Sequence, residues 1–126
     1  MSMQEGIIKR QEGSYLVTVE GRLDSGTYLE FEEKIGPVLS SSPKLLIFDL
    51  EKLDYISSLG IRSIVNARKA VESRDGHAVL IKLQPQIRKV FEILSALSPE
   101  AVFSSVEEAD RYFDMVQKQE LEKQNT

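Results

Sequence analysis

Cysteine is absent from the 126 residues, which excludes disulfides and thiolate metal sites and is compatible with a reducing compartment. Histidine occurs once, at His77. With no second histidine or cysteine beside it, His77 reads as a turn or strand-edge residue, and no metal site is expected. Long apolar runs are also missing. Even the longest, such as Leu45 to Phe48, fall far short of the roughly 20 residues needed to cross a bilayer, and residues 1–6 lack the basic stretch and apolar run of a leader. The expected location is the cytoplasm, without a membrane partner. No block of lysine and arginine is interleaved with aromatics, and the formal charge of -4 is spread along the chain, so direct nucleic-acid binding is not expected. The glycines are isolated and none lies in a phosphate-cradling loop, so the chain is not expected to hydrolyse nucleotide or to carry a cofactor. Glu32 and Glu33, and Glu107 and Glu108, fall on amphipathic helical stretches, where solvated faces or capping groups account for them better than a catalytic dyad. An enzyme is therefore not expected.

What the chain does have is 41% apolar and 29% charged residues, enough for one domain with a single core over residues 1–126. Gly6 to Arg10 and Tyr15 to Glu20 read as two short strands about a Glu12-Gly13-Ser14 turn, the second with Tyr15, Val17 and Val19 on one face. Tyr28, Leu29, Phe31, Ile35, Val38 and Leu39 recur at helical spacing, and Gly36-Pro37 is expected to bend or shorten that helix. Lys44 to Leu50 has the continuous apolar character of a strand covered on both faces. After Leu53 to Ile56 comes Ser57-Ser58-Leu59-Gly60, opening a helix with Ile61, Ile64, Val65, Ala67, Ala70 and Val71 on its apolar face and an end near Asp75-Gly76. His77 to Leu83 is a further strand, and Gln84-Pro85 opens a helix through Ile87, Val90, Phe91 and Leu94. Ala101 to Phe103 can form a last strand. Ser105-Val106-Glu107-Glu108 is a capping box for a helix through Val116, after which residues 117–126 lose their apolar stripe and are expected to fray. The alternation implies an α/β fold with a mixed four- to five-stranded sheet, right-handed parallel crossovers and covering helices.

The run from Leu50 to Arg62 concentrates the functional signal: a buried strand, a loop, then a hydroxyl pair and a glycine at a helix start. On spacing alone a Ser-Ser pair in this position is most often an N-cap. The run Ser57, Ser58, Leu59, Gly60 and Ile61, however, resembles the signature of the STAS-domain anti-sigma-factor antagonists, and Gly21-Arg22-Leu23-Asp24 followed by Thr27 is similar to the same family's Gly-x-Leu-Asp-x-x-Thr. Ile87-Arg88-Lys89-Val90-Phe91 with Leu94 also looks like that family's third helix, so the resemblance runs from about Gly6 to Val116. Two departures stand out: Leu59 replaces a usual small residue and implies a reshaped contact surface, and Ser57 replaces the Asp of one branch.

The resemblance implies a bacterial phosphoprotein that acts in transcription regulation by partner switching. Unphosphorylated, it would bind an anti-sigma-factor serine kinase and release a sigma factor. Phosphorylation on Ser58, with Ser57 as second choice, would abolish binding, and a serine phosphatase would reset the switch. ATP would belong to the kinase alone. The physical reading agrees, because a helix N-terminus accommodates phosphate while about -1.5 to -2 added charges repel an acidic partner surface. Ser57 is the better plain cap, with Ser58 just inside the helix and exposed, though boundary errors can exchange the two. The partner surface is expected to include Asp24, Thr27, Ser57, Ser58, Leu59, Gly60 and Arg62. Asp24 and Thr27 have turn or cap readings beside the functional one. Gly60 would let a partner's backbone approach closely. Arg62 lies one turn along, where a solvated arginine is the usual finding. Two alternatives remain: an aspartyl-phosphate receiver with Asp49 as acceptor, which the opening hairpin disfavours, and a STAS scaffold subunit of a sensory or lipid-transport complex. A monomer or weak dimer is expected.

Overall fold

The computed structural model describes residues 3–11, 13–94 and 102–124. An antiparallel hairpin opens the fold, β1 (Met3–Lys9) against β2 (Ser14–Leu23). Then follow α1 (Tyr28–Ser40), β3 (Leu45–Asp49), β4 (Leu53–Ile56), α2 (Ser58–Glu72), β5 (His77–Ile81), α3 (Pro85–Ile93), β6 (Val102–Phe103) and α4 (Val106–Gln124). The strands form one six-stranded sheet in the order β1-β2-β3-β5-β6, with β4 pairing β2 beyond the end of β3. All pairs other than the hairpin are parallel, so each needs a crossover, and the helices supply it. The fold class read from the sequence holds.

The two sheet faces carry separate apolar clusters because strand side chains alternate. On one face Val17, Val19, Leu46, Phe48 and Leu80 pack with Phe31 and Ile35 of α1, Ile61 and Ile64 of α2, and Ile87 and Phe91 of α3. On the other, Leu45, Ile47, Val79 and Ile81 meet Ala109 of α4, with Phe103, Tyr112 and Phe113 at the margin. Residues 45–48 are buried on both faces, as their unbroken apolar run required. Burying each such side chain contributes about 1.5–3 kcal/mol. Arg10 clamps α4 to the hairpin by bonding both carboxylate oxygens of Asp110, at 3.0 and 2.7 Å.

Three expectations are made more definite by the structure. Leu53–Ile56 is a sixth strand: Asp54 and Tyr55 both face outward between buried Leu53 and Ile56, so the alternation that marks a strand is broken, at a register shift beside Gly21/Arg22. Of the bend or shortening expected at Gly36-Pro37, the shortening does not occur: α1 continues to Ser40 with Pro37 inside it, on the exposed side. His77 stands at the start of a strand, directly after Gly76, and pairs with Leu45 of β3. It begins the interior strand β5, and its ring meets Tyr112 and Phe113 edge-on at 6.3 and 6.0 Å. At the chain's end, α4 extends to Gln124, into the stretch 117–126 where fraying is expected, and Ala101 lies outside the described residues.

Candidate functional site

The site forms where the C-terminal end of β2, strand β4 and the start of α2 converge. Parallel pairing sets Arg22 beside Tyr55 and Leu23 beside Ile56, and the Leu23 carbonyl accepts the Ser57 N–H at 2.9 Å. Ser57 is the N-cap of α2: its backbone is extended and its Oγ accepts the Gly60 N–H at 3.3 Å. Ser58 is therefore the first helical residue and is exposed. The two adjacent hydroxyls thus differ in environment, one engaged in the cap and the other facing solvent.

Gly60 is buried, and a Cβ there would lie 2.5 Å from the Leu23 carbonyl oxygen. Its smallness serves the docking of α2 on β2, so the expected close approach of a partner at this residue has an internal explanation instead. Gly21 serves the same junction. With φ at +89°, it adopts the left-handed backbone that precedes the register shift.

Asp24 and Thr27 organise the loop after β2. Thr27 occupies the N-cap position of α1 without a side-chain capping bond. Its hydroxyl points back, donating to the Arg22 carbonyl at 2.8 Å and accepting the Asp24 N–H at 2.9 Å, and the residue is buried. The Asp24 carboxylate accepts the Gly26 N–H at 2.9 Å and faces Arg22 Nε at 3.3 Å. Its carboxyl is held below the ordinary aspartate range, first by the Gly26 N–H, against the opposing effect of desolvation, and then by Arg22 and Thr27. Arg22 in turn lies over the Tyr55 ring at 4.1 Å. Neither Arg22 nor Tyr55 was among the residues anticipated from the sequence. The available signal was an aromatic side chain, Tyr55, three positions before Ser58, which the broken strand alternation obscured. Leu59 is half-buried and Arg62 exposed, and Arg62 makes no ion pair among the described residues.

The structure thus gathers Asp24, Thr27, Ser57, Ser58 and Gly60 around one strand-end junction, with Ser58 outermost and Thr27 and Gly60 inside. Asp49, the acceptor of the receiver alternative, ends β3, and its carboxylate accepts the Glu51 N–H at 3.1 Å. It borders a cleft of about 180 Å³ shared with Thr18, Glu20, Glu51 and Lys52. The opening antiparallel hairpin, paired over seven positions, is incompatible with the alternating start of a receiver. Among the described residues no group of three or more His, Cys, Asp or Glu side chains is placed to hold a metal, and no helix is long and apolar enough to cross a membrane.

A comparison with protein families matches the STAS domain over residues 7–109. Among curated proteins, the chain is 31% identical over 102 residues to BtrV of Bordetella bronchiseptica, named as a candidate anti-sigma factor antagonist, covering 81% of this chain and 88% of that protein. Among solved structures it is similar to an anti-sigma factor antagonist from Mycobacterium paratuberculosis, with a TM-score of 0.78 at 19% identity over 90% of this chain and 95% of the other. It is also similar to the Bacillus cell-fate determinant SpoIIAA in its phosphorylated form, with a TM-score of 0.70 at 19% identity over 90% and 99% of the two chains. These two structural likenesses concern the fold. With the family match spanning most of the sequence and the strand-loop-helix junction in place, the chain belongs to the STAS domain family and is similar to its anti-sigma-factor antagonists.

Proposed function

We propose that this protein is a non-enzymatic partner switch: unphosphorylated, it binds an anti-sigma-factor serine kinase and so frees a sigma factor, and phosphorylation of Ser58 ends the binding until a serine phosphatase restores it. The observation that carries this reading is the contrast between the two serines. Ser57 is committed to capping Gly60, whereas Ser58 stands exposed at the first position of α2. A kinase can reach Ser58 without opening the fold, and the nearby helix-terminal N–H groups tolerate an anion. About -1.5 to -2 new charges on that surface would repel acidic groups and impose desolvation on any close contact, so recognition is lost while the core persists. Asp24, Leu59 and Arg62 are the proposed surround, with Thr27, Ser57 and Gly60 holding its shape. The switch would operate in the cytoplasm.

The test is incubation of the purified protein with its cognate kinase and ATP, followed by peptide mass spectrometry. One phosphate is expected, on Ser58. Ser58→Ala should remain unmodified and still bind the kinase, whereas Ser58→Glu should bind weakly. Full phosphorylation of Ser58→Ala would overturn the assignment.

A further inference from the structure

Independently of the partner switch, we infer that β1 is a pairing edge for a second copy of this chain, joined antiparallel about a two-fold axis through Ile7. Among the described residues β1 has only β2 as a strand neighbour. The register opposes Lys9 to Tyr15, so Arg10 opposes Ser14, and its N–H donates to the Ser14 carbonyl at 2.8 Å. Even-numbered residues of β1 therefore turn their backbone groups inward to β2. The N–H and C=O groups of Met3, Glu5, Ile7 and Lys9 point outward, as a further antiparallel strand requires. Beside them Ile7 and Ile8 are 40% and 55% exposed.

Glu5 selects the occupant. Its side chain is only 4% exposed and its Oε1 pairs with Lys34 at 2.7 Å, yet its Oε2 is buried without a partner among the described residues. A half-paired buried carboxylate is costly. On an edge strand an inward charge commonly repels a foreign strand, but this strand also carries an exposed cation, Lys9. The axis through Ile7 sets Glu5 of each copy opposite Lys9 of the other, on the same sheet face. It also sets Ile7 against Ile7, and Ile8 opposite Gly6. A copy in this register brings a cation, and no like charge, to the edge above the Glu5–Lys34 pair, which a foreign strand need not do.

The absence of cysteine makes the arrangement testable by cross-linking. In the full chain, Ile7→Cys should form a disulfide dimer on mild oxidation, because residues facing each other across a hydrogen-bonded antiparallel pair lie about 5.5 Å apart at Cα, within disulfide reach. Lys9→Cys should not, because its two copies are offset by four residues, roughly 13 Å along the strand. In sedimentation equilibrium the unmodified protein should rise above its 14.3 kDa monomer mass with concentration. Lys9→Glu, which opposes two carboxylates, should weaken that association by about tenfold or more. The proposal is overturned if the unmodified chain remains a monomer at millimolar concentration. It is equally overturned if Ile7→Cys cross-links no faster than Lys9→Cys. Both positions are exposed, so both variants should keep the fold.

Discussion

A methyl group on residue 60 would press on the Leu23 carbonyl oxygen and on the Ile56 and Leu23 side chains. In an open helix alanine would be favoured over glycine by about 1 kcal/mol; here the clash should reverse the sign, and Gly60→Ala should lose about 1–3 kcal/mol of stability in urea unfolding. The pH response of Asp24 has a definite direction. Its folded pKa lies below the unfolded value of about 3.9, so whatever its carboxylate contributes is fully present above about pH 4 and is lost as pH falls through the folded value. The carboxyl carbon shift of Asp24, followed by NMR, should titrate below the ordinary aspartate midpoint. Arg22→Ala should move that midpoint upward, and no movement would show that the 3.3 Å contact is without electrostatic consequence.

At the next scale, the start of α2 depends on one hydroxyl and not on its neighbour. Ser57→Ala should cost about 1 kcal/mol through loss of the cap, whereas Ser58→Ala should stay within about 0.5 kcal/mol of the parent; equal losses would mean the cap is shared. For α4, Asp110→Ala removes the carboxylate that holds Arg10 and should speed amide exchange in α4 while leaving α2 unchanged. Much of this was legible in the chain. The period of α2, the hairpin alternation of Val17 and Val19, and the unbroken run 45–48 all report the face each residue buries, and the Ser57–Ile61 motif marked the site. Strand β4 was not legible, because four residues with Asp54 and Tyr55 both turned outward carry no period of two. The internal duties of Thr27 and Gly60 were hidden as well. They depend on the Arg22 and Leu23 carbonyls, which composition does not reveal.

Over the whole molecule, the exposed face of the switch and the core are separable. Ser58 belongs to neither apolar cluster, so Ser58→Glu should leave the far-ultraviolet circular dichroism spectrum intact and shift unfolding stability by no more than about 0.5 kcal/mol. A large loss would show that the added charge disrupts folding rather than recognition. The ten-residue β2 meets β3 with its first half, Ser14 to Thr18, and β4 with its second, Gly21 to Leu23. Mechanically, this makes β2 the lever of the protein. A partner tugging at the Ser58 corner loads the bonds between β2 and β4 in shear and passes the force along β2 into both β1 and β3, while β5 and β6, which do not pair with β2, lie off the line of pull.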